Sequence, residues 1–325
     1  SQEKQRDNKT REQASFLRSQ LILFNSRKKH GLLYSVATAA GLFCIPGILG
    51  IMSSETEIQL LLQRTLPLPF ATLMITVGMF ILNDLVDIEL DKANSKNRPI
   101  PSGIVSKRQA WSFIILTNGG AVGILALTLS LTSIIIVVPM IAIGILYSMP
   151  KKVALMNRFV LKNSAIAVFY MLCITLGITS YYGLELATNN AVLPIHAMII
   201  SAIMIFVGST INDLGDTGGD RAAGRRTIPI VLGGKNTINM LIILLGSMPA
   251  ISWIFYVAFV EHQTPSMIMT PIAVSIVSSL ALHRMSSIRK VYEDMKLMRE
   301  QHKKWFPLYM VLQAGMVVGS FMIYN

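Results

Sequence analysis

Six aspartates fall in two runs with the same spelling. The first is Asn83-Asp84-Leu-Val-Asp87-Ile-Glu-Leu-Asp91 and the second is Asn212-Asp213-Leu-Gly-Asp216-Thr-Gly-Gly-Asp220. On a helix, positions i, i+3 and i+7 share a face, so each run can present its three carboxylates together. Such trios repel one another and need cations near a low-dielectric boundary. Hard divalent ions meet that need, and oxygen donors without a neighbouring His or Cys favour Mg²⁺ over zinc or copper. Mg²⁺ takes few carboxylates and completes its shell with water and phosphate oxygens. Two acidic faces therefore suggest metals, two ions being the expectation, bridging a phosphorylated ligand. Asn83 and Asn212 can add a carbonyl ligand or orient a carboxylate.

Basic residues follow each run in related tails, Asn97-Arg98-Pro99-Ile100-Pro101 and Arg225-Arg226-Thr227-Ile228-Pro229. Arg98 and Arg226 hold matching places, and a guanidinium can fork onto phosphate oxygens that metals leave free. Metal and Arg around one site suit a diphosphate that must depart as a leaving group. Tyr147, Lys151 and Lys152 would overhang the same pocket if the acidic helices converge. Gly215, Gly218 and Gly219 predict that the second helix ends inside its motif.

The elements that must position these residues are membrane spans. Of 325 residues, 52% are hydrophobic and 14% charged, about half the charge of a soluble domain. Nine apolar stretches are long enough to cross the hydrocarbon core: 31–53, 66–88, 111–129, 131–149, 160–182, 191–211, 237–259, 264–282 and 305–323. The third and fourth are joined near Ser130 and Thr132 as an antiparallel hairpin. Residues 1–30 form a separate segment, in which 15–29 have the composition of an interfacial amphipathic helix, ahead of a 31–325 helical domain.

Placing the N-terminus in the cytoplasm puts every Lys and Arg except Arg64 inside, which strongly satisfies the positive-inside rule. The C-terminus then lies outside. The net charge of +12 reflects orientation and anionic headgroups, and calls for no nucleic acid. The polar first twenty residues and the full-length first span argue against a cleavable signal peptide. Cys44 and Cys173 read as packing residues. Both acidic runs end even-numbered spans on the same side, so they mark a parallel internal duplication. A cation transporter is the alternative of another class, but its acids would be expected near the bilayer midplane.

The paired N-D-x-x-D-x-x-x-D runs, Asn-Arg-Pro-Ile-Pro-Ser-Gly at 97–103, Tyr-Ser-x-Pro at 147–150 and Gly-Asp-Arg…Thr-Ile-Pro at 219–229 resemble the UbiA superfamily of intramembrane prenyltransferases. The resemblance implies an all-α, nine-helix bundle in the cell membrane. It implies that Asp84, Asp87, Asp91, Asp213, Asp216 and Asp220 bind Mg²⁺ and an isoprenyl diphosphate. Asn83, Asn212, Arg98, Tyr147, Lys151 and Arg226 would line the pocket. The implied chemistry is ionisation of an allylic diphosphate and capture of the carbocation by a lipid or aromatic acceptor. Residues 94–103 and 219–229 look most like archaeal digeranylgeranylglyceryl phosphate synthases and chlorophyll synthases. A geranylgeranyl donor and a prenylglyceryl phosphate acceptor are therefore expected, with a quinone precursor or a chlorophyllide as the alternative.

Overall fold

The computed structural model describes residues 2–43, 55–93, 97–128, 130–149, 157–189, 192–259 and 268–321. In chain order its helices are α1 (Gln2–Phe43), α2 (Glu55–Arg64), α3 (Pro67–Val86), α4 (Ile88–Ala93), α5 (Lys107–Thr128), α6 (Leu131–Ser148) and α7 (Phe159–Asn189). There follow α8 (Val192–Ala222), α9 (Ile228–Leu232), α10 (Gly234–Phe259), α11 (Met269–Val291), α12 (Met295–Lys303) and α13 (Phe306–Phe321). Among the described residues the sole strand-like pairing is one parallel bridge between Arg158 and Arg226. The fold is all-α.

Seven helical stretches are long and apolar enough to cross a bilayer, and they coincide with the second to eighth spans expected from sequence. The first and ninth stretches include residues 44–53 and 322–323, which lie outside the described residues. Helix α5 ends at Thr128 and α6 begins at Leu131, where the Ser130 hydroxyl caps α6 by accepting from the Ser133 amide at 3.2 Å. Residues 283–304 hold more than a connection. Helix α11 runs on to Val291, and α12 begins where the Asp294 carboxylate accepts from the amides of Lys296 and Leu297.

Packing runs from α1 to α3, on through α6, α7, α8, α10 and α11, and returns through α13 to α1. Lipid tails are as apolar as leucine, so helices in a bilayer associate through close contact. The seam between α1 and α7 shows how close. A Cβ on Gly41 would lie 2.2 Å from the Ile174 carbonyl oxygen, and one on Gly177 would lie 2.0 Å from that of Thr38. Two bare backbones therefore touch across the centre. Beside them Tyr34 stacks edge-on to Phe169 and Tyr170, and Gln313 donates to the Tyr170 hydroxyl at 2.9 Å.

Helix α1 runs unbroken through residue 30. Ser19, Leu23 and Arg27 face the bundle and are buried, while Leu17 and Leu21 are exposed. The amphipathic stretch thus has its polar and apolar sides arranged around a docked helix, and its buried side carries a cation into the site described next.

Candidate active site

The first acidic run straddles a helix junction. Helix α3 ends at Val86, Asp87 caps it, and α4 begins at Ile88. The hydrogen-bond ladder nevertheless continues, from the Asp87 amide to the Asn83 carbonyl at 2.9 Å and from the Asp91 amide to the Asp87 carbonyl at 2.8 Å. Asp84, Asp87 and Asp91 therefore keep helical spacing, and all three are buried. The second run lies wholly inside α8, which continues to Ala222 despite its glycines. This corrects the expected early end, and the reason is packing. A Cβ on Gly215 would sit 3.1 Å from Arg299 Cγ and one on Gly218 2.8 Å from Met295 Sδ, so both glycines admit α12 against α8. Asp213, Asp216 and Asp220 are buried on the same helix.

Both runs carry the same internal bond. The amide of Asn83 donates to Asp87 at 3.3 Å, and that of Asn212 donates to Asp216 at 3.4 Å. In both, the first Asp takes a cation from another helix. Arg27 of α1 holds Asp84 in a two-pronged pair, with Nε to Oδ2 at 2.8 Å. Lys162 of α7 pairs with Asp213 and lies 4.0 Å from Asp220. The duplication thus extends from motif to motif-supporting cation.

Three further arginines complete the pairs, and one of them joins the runs. Arg98 donates to Asp84 at 2.6 Å and also to Asp91. Arg299 of α12 donates to Asp216 at 3.3 Å and to the Gly215 carbonyl at 3.2 Å. Arg225 pairs with Asp87 of the first run and lies 3.4 Å from Asp220 of the second, so one guanidinium spans both. Burial by itself would lower the Arg225 pKa, and the carboxylates of Asp87 and Asp220 outweigh it and hold the group above its ordinary value.

Backbone chemistry explains why Arg225 sits there and Arg226 does not. Gly224 has φ +69°, the left-handed conformation that glycine adopts freely. The Gly224 amide bonds the Arg221 carbonyl at 3.1 Å and the Arg225 amide bonds the Asp220 carbonyl at 2.9 Å, which is a Schellman cap. The cap folds Arg225 back over the end of α8. Arg226 is exposed, and its amide bonds the Asn157 carbonyl at 3.4 Å. The expected equivalence of Arg98 and Arg226 therefore shifts by one residue, with Arg225 reaching the carboxylates.

Tyr147, at the end of α6, lies within electrostatic reach of Lys162, Asp213, Arg225 and Asp87. Lys151 and Lys152 lie outside the described residues. Arg27, Lys162 and Arg299 are functional candidates that sequence reasoning missed. Lys162 carried a visible signal, being a lysine within an otherwise apolar span; Arg27 was hidden in a basic flank.

The UbiA prenyltransferase family model matches residues 42–299, well over half of the chain. The chain belongs to the UbiA prenyltransferase family. The member is an integral membrane protein, and its bundle has the family's fold. It is similar to a structure solved in a study of digeranylgeranylglyceryl phosphate synthase in membranes, with a TM-score of 0.63, 20% identity, and coverage of 95% of this chain and 99% of that one. A UbiA homologue from Archaeoglobus fulgidus bound to GPP and Mg²⁺ gives a TM-score of 0.60 at 15% identity, covering 92% of this chain and 99% of that one.

In sequence, this UbiA family member is 29% identical over 201 residues to the digeranylgeranylglyceryl phosphate synthase of Methanoculleus marisnigri, covering 62% of this chain and 66% of the relative. It is 30% identical over 177 residues to that of Sulfolobus acidocaldarius, covering 53% and 59%. The chain thus spans less than two thirds of the length of these relatives.

The donor set of this UbiA site fits Mg²⁺. Oδ2 of Asp213 and Oδ2 of Asp220 are buried without a hydrogen-bond partner, an arrangement costly for a carboxylate unless a cation arrives. Among the described residues no three carboxylates converge to cage an ion by themselves.

Proposed function

We propose that the protein transfers a prenyl chain from an allylic diphosphate to a hydroxyl of a phosphorylated glycerol lipid, with Mg²⁺ as cofactor. The observation that carries this is Arg225 spanning Asp87 and Asp220, because it draws both acidic runs to one buried place. Asp84, Asp87, Asp91, Asp213, Asp216 and Asp220, supported by Asn83 and Asn212, would hold the ions and through them the diphosphate. Mg²⁺ there supplies Lewis-acid neutralisation of the leaving group. Six carboxylates, five paired cations and a diphosphate of about three negative charges leave about four uncompensated, the charge of two Mg²⁺.

The protein's own residues do the rest. Arg98 and Arg225 stand where they can turn from a carboxylate to a phosphate oxygen as the C1–O bond breaks and both its electrons leave with the diphosphate. Tyr147 faces the same space, and its ring can stabilise the allylic cation. Lys151 would add a further cation. The acceptor oxygen then bonds to C1 and its proton passes to the departing diphosphate, so no dedicated base is required. Neither His30 nor His283 stands within hydrogen-bonding distance of a motif carboxylate among the described contacts.

The names of the sequence relatives support a glyceryl phosphate acceptor. Purified protein given geranylgeranyl diphosphate with prenylglyceryl phosphate and, separately, an aromatic acid should yield an acid-labile ether lipid by mass analysis. A prenylated ring without any ether would place the protein in the aromatic branch.

The basic side of the molecule would face the cytoplasm, with the site at that surface and the C-terminus outside. In a cysteine-free background, Ser95→Cys should resist an impermeant thiol reagent in intact cells and Leu186→Cys should react. The opposite pattern inverts the orientation.

A further inference from the structure

Position by position, the two acidic runs differ in how fully cations cover them. In the first, the Arg27 guanidinium forks onto both oxygens of Asp84, and Arg98 bridges Oδ1 of Asp84 and Oδ2 of Asp91. Asp87 receives Arg225 on one oxygen and the Asn83 amide on the other. Among the described residues no buried carboxylate oxygen of this run lacks a partner.

The second run is covered less well. Lys162 has the part that Arg27 has in the first, but an ammonium is a point charge and reaches Oδ1 of Asp213 alone. The Gly224 cap carries Arg225 across to Asp87 and leaves Asp220 its Oδ1 contact at 3.4 Å. Among the described residues no guanidinium bridges Asp213 and Asp220 as Arg98 bridges Asp84 and Asp91. Oδ2 of Asp213 and Oδ2 of Asp220 are buried without a hydrogen bond, and Lys162 comes no nearer the second than 4.0 Å. A third acceptor lies beside them. Asn163 of α7 is wholly buried and within reach of Asp213; its amide donates to the Thr210 hydroxyl at 2.7 Å, and its Oδ1 has no partner.

We propose that the two runs fill in order: the second binds one Mg²⁺ without diphosphate, and the first takes its ion only when a diphosphate draws Arg98 off Asp84 and Asp91. The proposal rests on the prenyl-transfer reading and gives each run a separate part in it.

The order follows from what each ion must displace. Buried acceptors that face no donor are costly, and a hard cation relieves that cost at the second run with nothing to move aside. Two carboxylate oxygens suffice there although no three carboxylates converge among the described residues, since Mg²⁺ retains several waters. At the first run an ion must break both bonds of Arg98, and the guanidinium needs another anion before it lets go. A diphosphate is such an anion, and its oxygens accept the paired donors of a guanidinium. The leaving group is then fully neutralised only once it is in place.

Mn²⁺ stands in for Mg²⁺ and is counted by EPR on the purified protein in detergent, with no turnover involved. Without diphosphate the wild type should bind one ion. Asp213→Asn or Asp220→Asn should weaken it about tenfold or more, at least what loss of a supporting group costs a metal site, and Asp84→Asn should leave it within about twofold. Adding a non-hydrolysable allylic diphosphate should raise the count to two. Arg98→Gln should bind two ions with no diphosphate, a gain that misfolding cannot imitate. No ion, or two, in the diphosphate-free wild type overturns the order, as does an equal loss from Asp84→Asn or a single ion in Arg98→Gln. Size-exclusion profiles identify a variant that fails to fold, and the wild-type counts with and without the diphosphate then decide by themselves. If the ions bind in this order and no acceptor is prenylated, the transfer reading fails and the order stands. Prenylation by a protein that binds both ions only with diphosphate sinks the order and leaves the reading intact.

Discussion

Replacing Asp87 or Asp216 by Ala should lower turnover by a factor of at least about 10², the usual cost of losing one transition-state charge contact. Both variants should remain folded, although both carboxylates are buried rather than solvated at a helix edge. Losing one partner of a buried pair is ordinarily destabilising because the other charge is stranded. Here each stranded cation keeps a second acceptor. Arg225 retains Asp220 at 3.4 Å, and Arg299 retains the Gly215 carbonyl at 3.2 Å. Steady-state rates and size-exclusion profiles of the two variants decide the matter. Activity within twofold of wild type in either variant removes that run from the site.

Lys162→Met should produce the largest loss of stability. Lys162 is the cation closest to Asp213 and also faces Asp220, and side-chain exposures of 8%, 1% and 2% leave water little part in compensating them. Removing one member of such a buried group typically costs about 3–5 kcal/mol. The unfolding midpoint in detergent should fall steeply without Mg²⁺ and recover in part when Mg²⁺ and a non-hydrolysable allylic diphosphate are added together. Recovery is expected because a ligand that binds the folded form alone stabilises it by mass action. Adding Asp213→Asn to Lys162→Met should restore much of the stability with no ligand, while activity stays lost. A midpoint unchanged in Lys162→Met would show that this lysine does not hold the second run in place.

The two predictions differ because the cations differ. Arg98, Arg225 and Arg299 come from loops or the short α12, each with more than one acceptor in reach. Lys162 comes from a membrane span and has carboxylates alone among its ionic partners described here. A cation with a spare acceptor can change partners as substrate binds. One wedged between two buried acids secures the helices that carry them.

What the amino-acid sequence determined by itself was seven of the apolar helices and the spacing of the acidic runs. Hydropathy located seven stretches that are now helices, since span length is set by bilayer thickness and needs no tertiary information. The spacing of Asp84, Asp87 and Asp91, and of Asp213, Asp216 and Asp220, already implied one face each, because helical period is local. Tertiary structure alone decided which cation meets which carboxylate. Arg27 is 57 residues from Asp84, Lys162 is 51 from Asp213 and Arg225 is 138 from Asp87, and nothing in a linear pattern ties such pairs. It also decided between Arg225 and Arg226, because a left-handed Gly224 at the end of α8 turns one inward and leaves the next at the rim. The glycines of the second run were misread for the same reason. Glycine lowers helix propensity, and that is all a sequence displays; here Gly215 and Gly218 face α12, and the close packing they permit keeps the helix intact to Ala222.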